Sequence, residues 1–116
     1  NKYDQFFDVP LEMHGCNSAW LAFPVLIKKE SPFSRRQFQI YLEERNIQTR
    51  VVFTGNILRQ PMCKNIEKRV NASGYPNADA VMERGVLLPL HHGLTEAMFQ
   101  RFHATIEEFI KNSLKS

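Results

Sequence analysis

With 116 residues, 43% of them hydrophobic and 23% charged, the chain has the size and composition of one soluble globular domain around a single core. Its 15 Lys and Arg against 12 Asp and Glu give a net charge of +3, with the two signs interspersed, which favours anionic ligands mildly and argues against a nucleic-acid-binding face. No apolar run approaches the roughly 18 residues of a membrane span, and the polar start Asn1-Lys2-Tyr3-Asp4 is no secretory signal, so the expectation is a cytoplasmic protein without a membrane anchor. Cys16 and Cys63 lie far apart without CxxC partners, which points to free thiols and to neither a zinc cage nor a disulfide framework. The chain starts at Asn1 without an initiator Met, and a piece of a longer protein is expected.

Residues 1–17 carry Tyr3, Phe6 and Phe7 without a sustained period and end in the breakers Gly15 and Asn17, so they read as a connector. The run A-W-L-A-F-P-V-L-I-K over 19–28 is rich in aromatic and β-branched residues and short for a helix. It reads as a first strand, and Pro24, which has no N–H to donate, requires an edge, a bulge or a break there. Ser34 and Gln37 stand at capping-box spacing with Phe38, Tyr41 and Leu42 following at helical spacing, which predicts a helix over 35–45 closed by Asn46. Q-T-R-V-V-F over 48–53 reads as a second strand, broken by Thr54-Gly55-Asn56. Pro61 opens a short helix over 62–70, 71–76 is a polar loop, 78–84 is a further short helix ended by Gly85, and 86–90 is a third strand. The last segment has the strongest period: Thr95 is an N-cap, Glu96 suits the first turn, and Met98, Phe99, Phe102, Ile106, Phe109 and Ile110 form one apolar stripe. Lys111 and Lys115 suit its C-terminal end. The fold class that follows is α/β, a small two-layer sandwich of about three strands, antiparallel or mixed, covered by helices.

Chemistry concentrates between the second strand and the next helix, in R-V-V-F-T-G-N-I-L-R-Q-P over 50–61. Gly55 can adopt positive φ, Asn56 offers a donor and an acceptor, and Arg50 and Arg59 suit a phosphate or carboxylate. From spacing alone an ordinary Gly-Asn turn is the stronger reading. His91 and His92 are adjacent, without the i, i+4 geometry of a helical metal pair, and read as a solvated loop; His103 reads as a core-edge residue on the last helix. Lys28-Lys29 and Arg35-Arg36 are diluted by Glu30, Glu43 and Glu44 and read as a solvated face. No catalytic set and no metal site is assembled from these residues.

Several segments stand in a telling order from about 17 to 109: Trp20-Leu21-Ala22-Phe23-Pro24, L-E-E-R-N-I-Q-T-R ending at Arg50, Gln60-Pro61, Tyr75-Pro76-Asn77-Ala78-Asp79, and Leu88-Pro89-Leu90-His91 followed by Gly93-Leu94-Thr95. Together they resemble the C-terminal small domain of the DegT/DnrJ/EryC1/StrS family of pyridoxal-phosphate-dependent sugar aminotransferases. Aminotransferases of that family carry an aromatic-x-x-Pro-Leu-His-x-Gln-Pro pattern where this chain has Phe53-Thr54-Gly55-Asn56-Ile57-Leu58-Arg59-Gln60-Pro61. With Asn56 and Leu58 in place of the proline and histidine, the segment resembles the branch of nucleotide-hexose 3-dehydratases, which remove the C3 hydroxyl of a 4-keto-6-deoxy sugar nucleotide on the route to 3,6-dideoxysugars of surface polysaccharide. Leu88-Pro89-Leu90-His91 still resembles the aminotransferase side.

The resemblance implies that 1–17 connects to a large domain outside this chain and that 18–116 is the small domain. It further implies that pyridoxal or pyridoxamine phosphate, and the residues that react with it, belong to the large domain, so this segment binds no cofactor and is inactive by itself. An iron-sulfur cluster, found in part of the dehydratase branch, is left open, since two isolated cysteines do not supply one. The role implied for this segment is substrate positioning: Arg50, Asn56 and Arg59 on the sugar or its diphosphate, and Phe53 against the ring. The implied partners are the large domain, a second subunit and the nucleotide sugar, and an exposed apolar surface is expected where the large domain would pack. Alternatives are a sugar aminotransferase of the same family and, in another class, a stand-alone module binding anions or small molecules.

Overall fold

The computed structural model describes residues 2–115. Its elements in chain order are strands β1 (Phe7–Asp8) and β2 (Phe23–Ile27), helix α1 (Arg35–Glu43), strand β3 (Arg50–Val51), helix α2 (Pro76–Arg84), strand β4 (Gly85–Leu88) and helix α3 (Glu96–Ser113). The sheet order is β1-β2-β4-β3 with every pairing antiparallel. The α/β class therefore stands, with four strands and an antiparallel sheet.

The sheet is centred on β2 and β4, which pair from Phe23 opposite Leu88 to Leu26 opposite Gly85. Val25, Ile27, Val86 and Leu88 are buried with Phe38 and Leu42 of α1 and with Ile106, Phe109 and Ile110 of α3, so these two helices cover one face. An aromatic cluster fills the layer between them. The Phe33 ring meets Phe109 edge-on at 4.8 Å, and Phe38 lies 5.2 Å from Phe7 and 5.3 Å from Phe109. Such contacts add to the burial of large apolar surface.

Local chemistry sets the helix ends. In α1 the capping box is formed in full: the Ser34 hydroxyl accepts from the Gln37 N–H and the Gln37 side chain accepts from the Ser34 N–H. The helix ends at Glu43, and the turn after it closes at Asn46, which sits in the left-handed region at φ 57° while Ile47 N–H reaches back to Leu42 O at 3.0 Å in a Schellman-type closure. Thr95 caps α3 by accepting from Met98 N–H.

Several sequence expectations are corrected. Residues 1–17, read as a bare connector, supply β1 and place Phe6 and Phe7 in the core. A two-residue strand is too short to carry a period, so nothing in the pattern marks it. Pro24 lies in a strand with a neighbour on each side, yet β1 reaches only Leu26 and Ile27, so at Pro24 the strand has one partner and tolerates the missing donor. The predicted strands over 48–53 and 86–90 shorten to two and four residues. Pro89 cannot extend the second ladder. The helix predicted over 62–70 is absent beyond a 3-10 turn at Pro61–Cys63. Met62, Ile66 and Val70 are all exposed, so that face meets no core, and a short helix without tertiary packing is marginal. In α3 the stripe divides, with Ile106, Phe109 and Ile110 buried and Met98 and Phe99 exposed.

Phe38 is fully buried at the centre of the aromatic cluster. Phe38→Ala is expected to lower the unfolding free energy by about 3–5 kcal/mol, read as a shifted urea midpoint with unchanged slope.

Candidate functional site

The segment from 49 to 61 is anchored at its start. Thr49 is buried, its hydroxyl donates to Glu43 Oε1 at 2.9 Å, and the same hydroxyl accepts from Gln39 Nε2 at 3.1 Å. Both partners lie on α1, so the entry to β3 is fixed to the helical layer.

After β3 the backbone turns sharply. Phe53 N–H closes on Val51 O at 3.0 Å and Gly55 N–H on Val52 O at 3.2 Å, with φ at 47° for Phe53 and 63° for Gly55. Gly55 is required for two reasons: its positive φ, and its approach to α2, where a Cβ would stand 2.3 Å from Met82 Cβ and 2.5 Å from Met82 Cα. Phe53 has no such freedom, and a left-handed conformation costs a residue with a Cβ about 1–2 kcal/mol. The residue is 89% exposed.

The segment then closes on α2 through one carboxylate. Asn56 is buried; its Oδ1 accepts from Leu58 N–H at 3.0 Å and its Nδ2 donates to Asp79 Oδ1 at 2.8 Å. Arg59 forks onto the same residue, Nε to Oδ1 at 2.9 Å and Nη2 to Oδ2 at 2.8 Å. Bidentate guanidinium–carboxylate pairs of this kind are directional as well as strong. Asp79 sits in the first turn of α2, where the helix dipole also favours negative charge. The hydrogen bond from Arg59, reinforced by the one from Asn56, lowers the Asp79 carboxyl from 3.8 to about 2. Gln60 Nε2 donates to Thr54 O at 3.1 Å and draws the two ends of the turn together.

Of the four residues expected to bind substrate, Asn56 and Arg59 are thus brought together on Asp79, whereas Arg50, which opens β3, and Phe53, two residues beyond its end, stand exposed. Arg50 makes no side-chain hydrogen bond or ion pair among the described residues. Asp79 was not singled out from sequence, because it lies 20 positions from Arg59 and 23 from Asn56 and no periodicity links them. The signals that could have found it are its place at the end of the Tyr75-Pro76-Asn77-Ala78-Asp79 segment and an acidic side chain in the first turn after a helix-opening proline.

The histidines adopt ordinary roles. His91 Nδ1 accepts from Gly93 N–H at 3.1 Å inside an exposed turn, and the His103 ring stacks on Tyr3 with centroids 6.0 Å apart. Among the described residues no cluster of three or more His, Cys, Asp or Glu could hold a metal ion, and no helix is long and apolar enough to cross a membrane. An apolar groove of about 740 Å³ opens beside α3, lined by Trp20, Phe23, Leu88, Leu94, Phe99 and Phe102. Leu11, Met13 and Leu21 are also exposed, so apolar surface remains uncovered as the sequence led us to expect.

The depressed Asp79 carboxyl has a definite pH consequence. Its folded value lies below the unfolded one, so its contribution to stability is fully present above about pH 4 and is lost as pH falls toward 2. Arg59→Gln removes the main cause of the shift. The variant is expected to show a shallower loss of thermal stability over that window, with the difference from the parent protein largest above it; identical acid limbs would contradict the assignment.

Comparison with known proteins places this geometry in context. Residues 2–107 match the model of the DegT/DnrJ/EryC1/StrS aminotransferase family. The lipopolysaccharide biosynthesis protein RfbH of Salmonella typhimurium is 30% identical over 105 residues, 90% of this chain and 24% of that protein. The dTDP-4-dehydro-2,6-dideoxy-D-glucose 3-dehydratase of Saccharopolyspora spinosa is likewise 30% identical over 90% of this chain, and 22% of its own length is covered. Among solved structures, the E. coli GDP-4-keto-6-deoxy-D-mannose-3-dehydratase with bound hydrated PLP superposes with a TM-score of 0.72 at 25% identity, covering 94% of this chain and 27% of that one. The chain therefore spans about a quarter of the length of these relatives. With the family pattern extending over nearly all of it and the same fold in a solved relative, the chain belongs to the DegT/DnrJ/EryC1/StrS aminotransferase family.

Proposed function

We propose that this chain is the C-terminal small domain of a cytoplasmic enzyme that removes the C3 hydroxyl of a nucleotide-linked 4-keto-6-deoxy sugar, in the making of 3,6-dideoxysugars for surface polysaccharide. The observation that carries this reading is the 30% identity to a sugar 3-dehydratase across 90% of the chain. Asn56 supports it: in place of the proline of the aminotransferase pattern stands an amide whose two ends are both engaged. The segment 1–17 leads from a large domain and lends β1, with Phe6 and Phe7, to the small domain that 18–116 otherwise forms. The exposed Leu11, Met13, Leu21 and Met62 suit packing against that large domain or a second subunit.

Within such an enzyme Arg50 and Phe53 reach the nucleotide sugar. The guanidinium of Arg50 suits the diphosphate and the open ring of Phe53 suits an apolar sugar or base face. Arg59 shares the anion from its exposed side, and Asn56 holds the turn from beneath. Pyridoxal or pyridoxamine phosphate, when bound, supplies the electron sink for cleaving the C3–O bond. Asn56 and Arg59 converge on Asp79 and Arg50 lies on an exposed two-residue strand, which supports a role for them toward the substrate over one toward that cofactor. The cofactor is held by the large domain.

The test is product mass. Supplied with pyridoxamine phosphate as the two-electron donor, or with pyridoxal phosphate and an amino-acid donor that regenerates it, and with either a GDP- or a dTDP-linked 4-keto-6-deoxyhexose, the intact protein is expected to release a sugar nucleotide one oxygen lighter, the cofactor's amino group leaving as ammonia. A product in which the carbonyl oxygen is replaced by an amine would establish the aminotransferase reading instead, which Leu88-Pro89-Leu90-His91 resembles. Binding of sugar nucleotides by a chain that never joins a large domain would favour the stand-alone module.

A second measurement isolates Phe53. Glycine adopts positive φ freely, which relieves about 1–2 kcal/mol of strain, and loosens the unfolded chain by about 0.4–1 kcal/mol. Phe53→Gly is therefore expected to hold thermal stability within about 1 kcal/mol while weakening GDP or dTDP binding measurably by calorimetry. Unchanged affinity would remove the ring from the site.

A further inference from the structure

We propose that Asp79, with Arg59 and Asn56, is a latch that presets the turn after β3, so that these three are positioning residues and Phe53 and Arg50 are the groups they present. This deepens the reading above, on which its binding arm rests.

Four observations carry it. Both oxygens of one carboxylate are engaged by groups from the turn, in a fork from Arg59 and a single bond from Asn56. The same Asn56 caps the 3-10 turn Ile57–Arg59 through Leu58 N–H, so the amide joins the backbone of the turn to α2. Gly55 lies against Met82, one turn further along α2, at a distance that excludes any side chain. Between these anchors and β3, Phe53 is held left-handed with its ring outward.

The arrangement explains what an exposed aromatic in a strained conformation otherwise leaves open. A phenylalanine free to relax would leave the left-handed region. It persists because the chain is fixed on both sides, by the β3–β4 ladder before it and by Asp79 after it. Strain maintained in this way by the surroundings is a recurrent property of ligand-contacting positions. The chemistry assigned to Arg59 changes accordingly: its Nε and Nη2 are engaged by Asp79, so its main effect on a ligand runs through the geometry of the turn.

Hydrogen exchange across 53–60, measured in the intact protein alongside exchange in α3 and calorimetric titration with GDP and with dTDP, tests the latch. Asp79→Asn keeps the side-chain shape and removes the charge. It is expected to accelerate exchange at Gly55 and Leu58 by roughly tenfold, the scale of one charge-assisted hydrogen bond, and to leave α3 protection unchanged. Arg59→Gln is expected to do the same, and the double variant no more than either alone, since both act through one contact. Nucleoside diphosphate affinity falls in parallel. Should Asp79→Asn expose α3 as well, Arg59→Gln, on the more exposed partner, carries the comparison. Unaltered exchange over 53–60 in Arg59→Gln, or additive effects in the double variant, would overturn the latch. Faster exchange with undiminished GDP and dTDP affinity would retain the latch and overturn its link to binding. If the parent protein binds neither nucleotide, the functional reading fails while the exchange result still decides the latch.

Discussion

A single carboxylate holds together two parts of the chain that the sheet joins only weakly. The β3–β4 ladder consists of two residue pairs, Arg50 opposite Leu87 and Val51 opposite Val86, and a pairing so short is marginal by itself. Beyond it the chain would be free to leave the sheet. Asp79 prevents this by taking Arg59 and Asn56 on its two oxygens, so that the segment following β3 is tied to the body of the fold at a second point. The geometry of that tie is set by the planar guanidinium fork, which a lysine would not reproduce.

The tie is effective because of where α2 leads. The helix ends at Arg84 and β4 begins at Gly85 with no loop between them. A side chain at that junction is impossible, since a Cβ on Gly85 would lie 2.6 Å from the carbonyl oxygen of Val81. Whatever positions α2 therefore positions β4, the strand that β3 pairs with. Arg84 adds a bond from its Nη1 to Ile27 O, at the end of β2, and Arg35 Nη1 donates to Met82 O at 2.6 Å, so α2 is fastened to the sheet and to α1 as well. The turn carrying Phe53 is thus enclosed in a closed circuit of β3, β4, α2 and Asp79. Its shape is determined by the domain and owes little to the local sequence.

That distinction accounts for what was legible in the residues. Helices α1 and α3 could be read because their signals are local: Ser34 with Gln37, Thr95 with its following N–H groups, and apolar stripes that repeat within a few residues. The membership of the family was readable from the order of short motifs, which needs no knowledge of contacts. The first strand was not readable, because Phe7 and Asp8 are too few for a period and Phe6 and Phe7 are buried only by Phe33, Phe38 and their neighbours, far along the chain. The predicted helix at 62–70 failed for the converse reason: Met62, Ile66 and Val70 have helical spacing, but no surface among the described residues covers them. In the candidate site, the residue types were legible and the pairing was not. Arg59 and Asn56 offered themselves as ligands for an anion, and the anion they meet first is Asp79.

An internal anion occupying such donors changes how the site should be understood. A guanidinium already neutralised by a carboxylate attracts an anion less than a free one does, and of the two arginines proposed above to meet the substrate only Arg50 lacks such a partner among the described residues. Phe53 contributes little to stability, because its ring is solvated and its backbone is strained. A residue that is costly to the fold and exposed to water fits the ligand-contacting role proposed for it above. The domain thus separates two tasks: the charged pair at Arg59 and Asp79 stabilises a shape, and on the proposed function the guanidinium of Arg50 and the exposed ring of Phe53 are left free to use it.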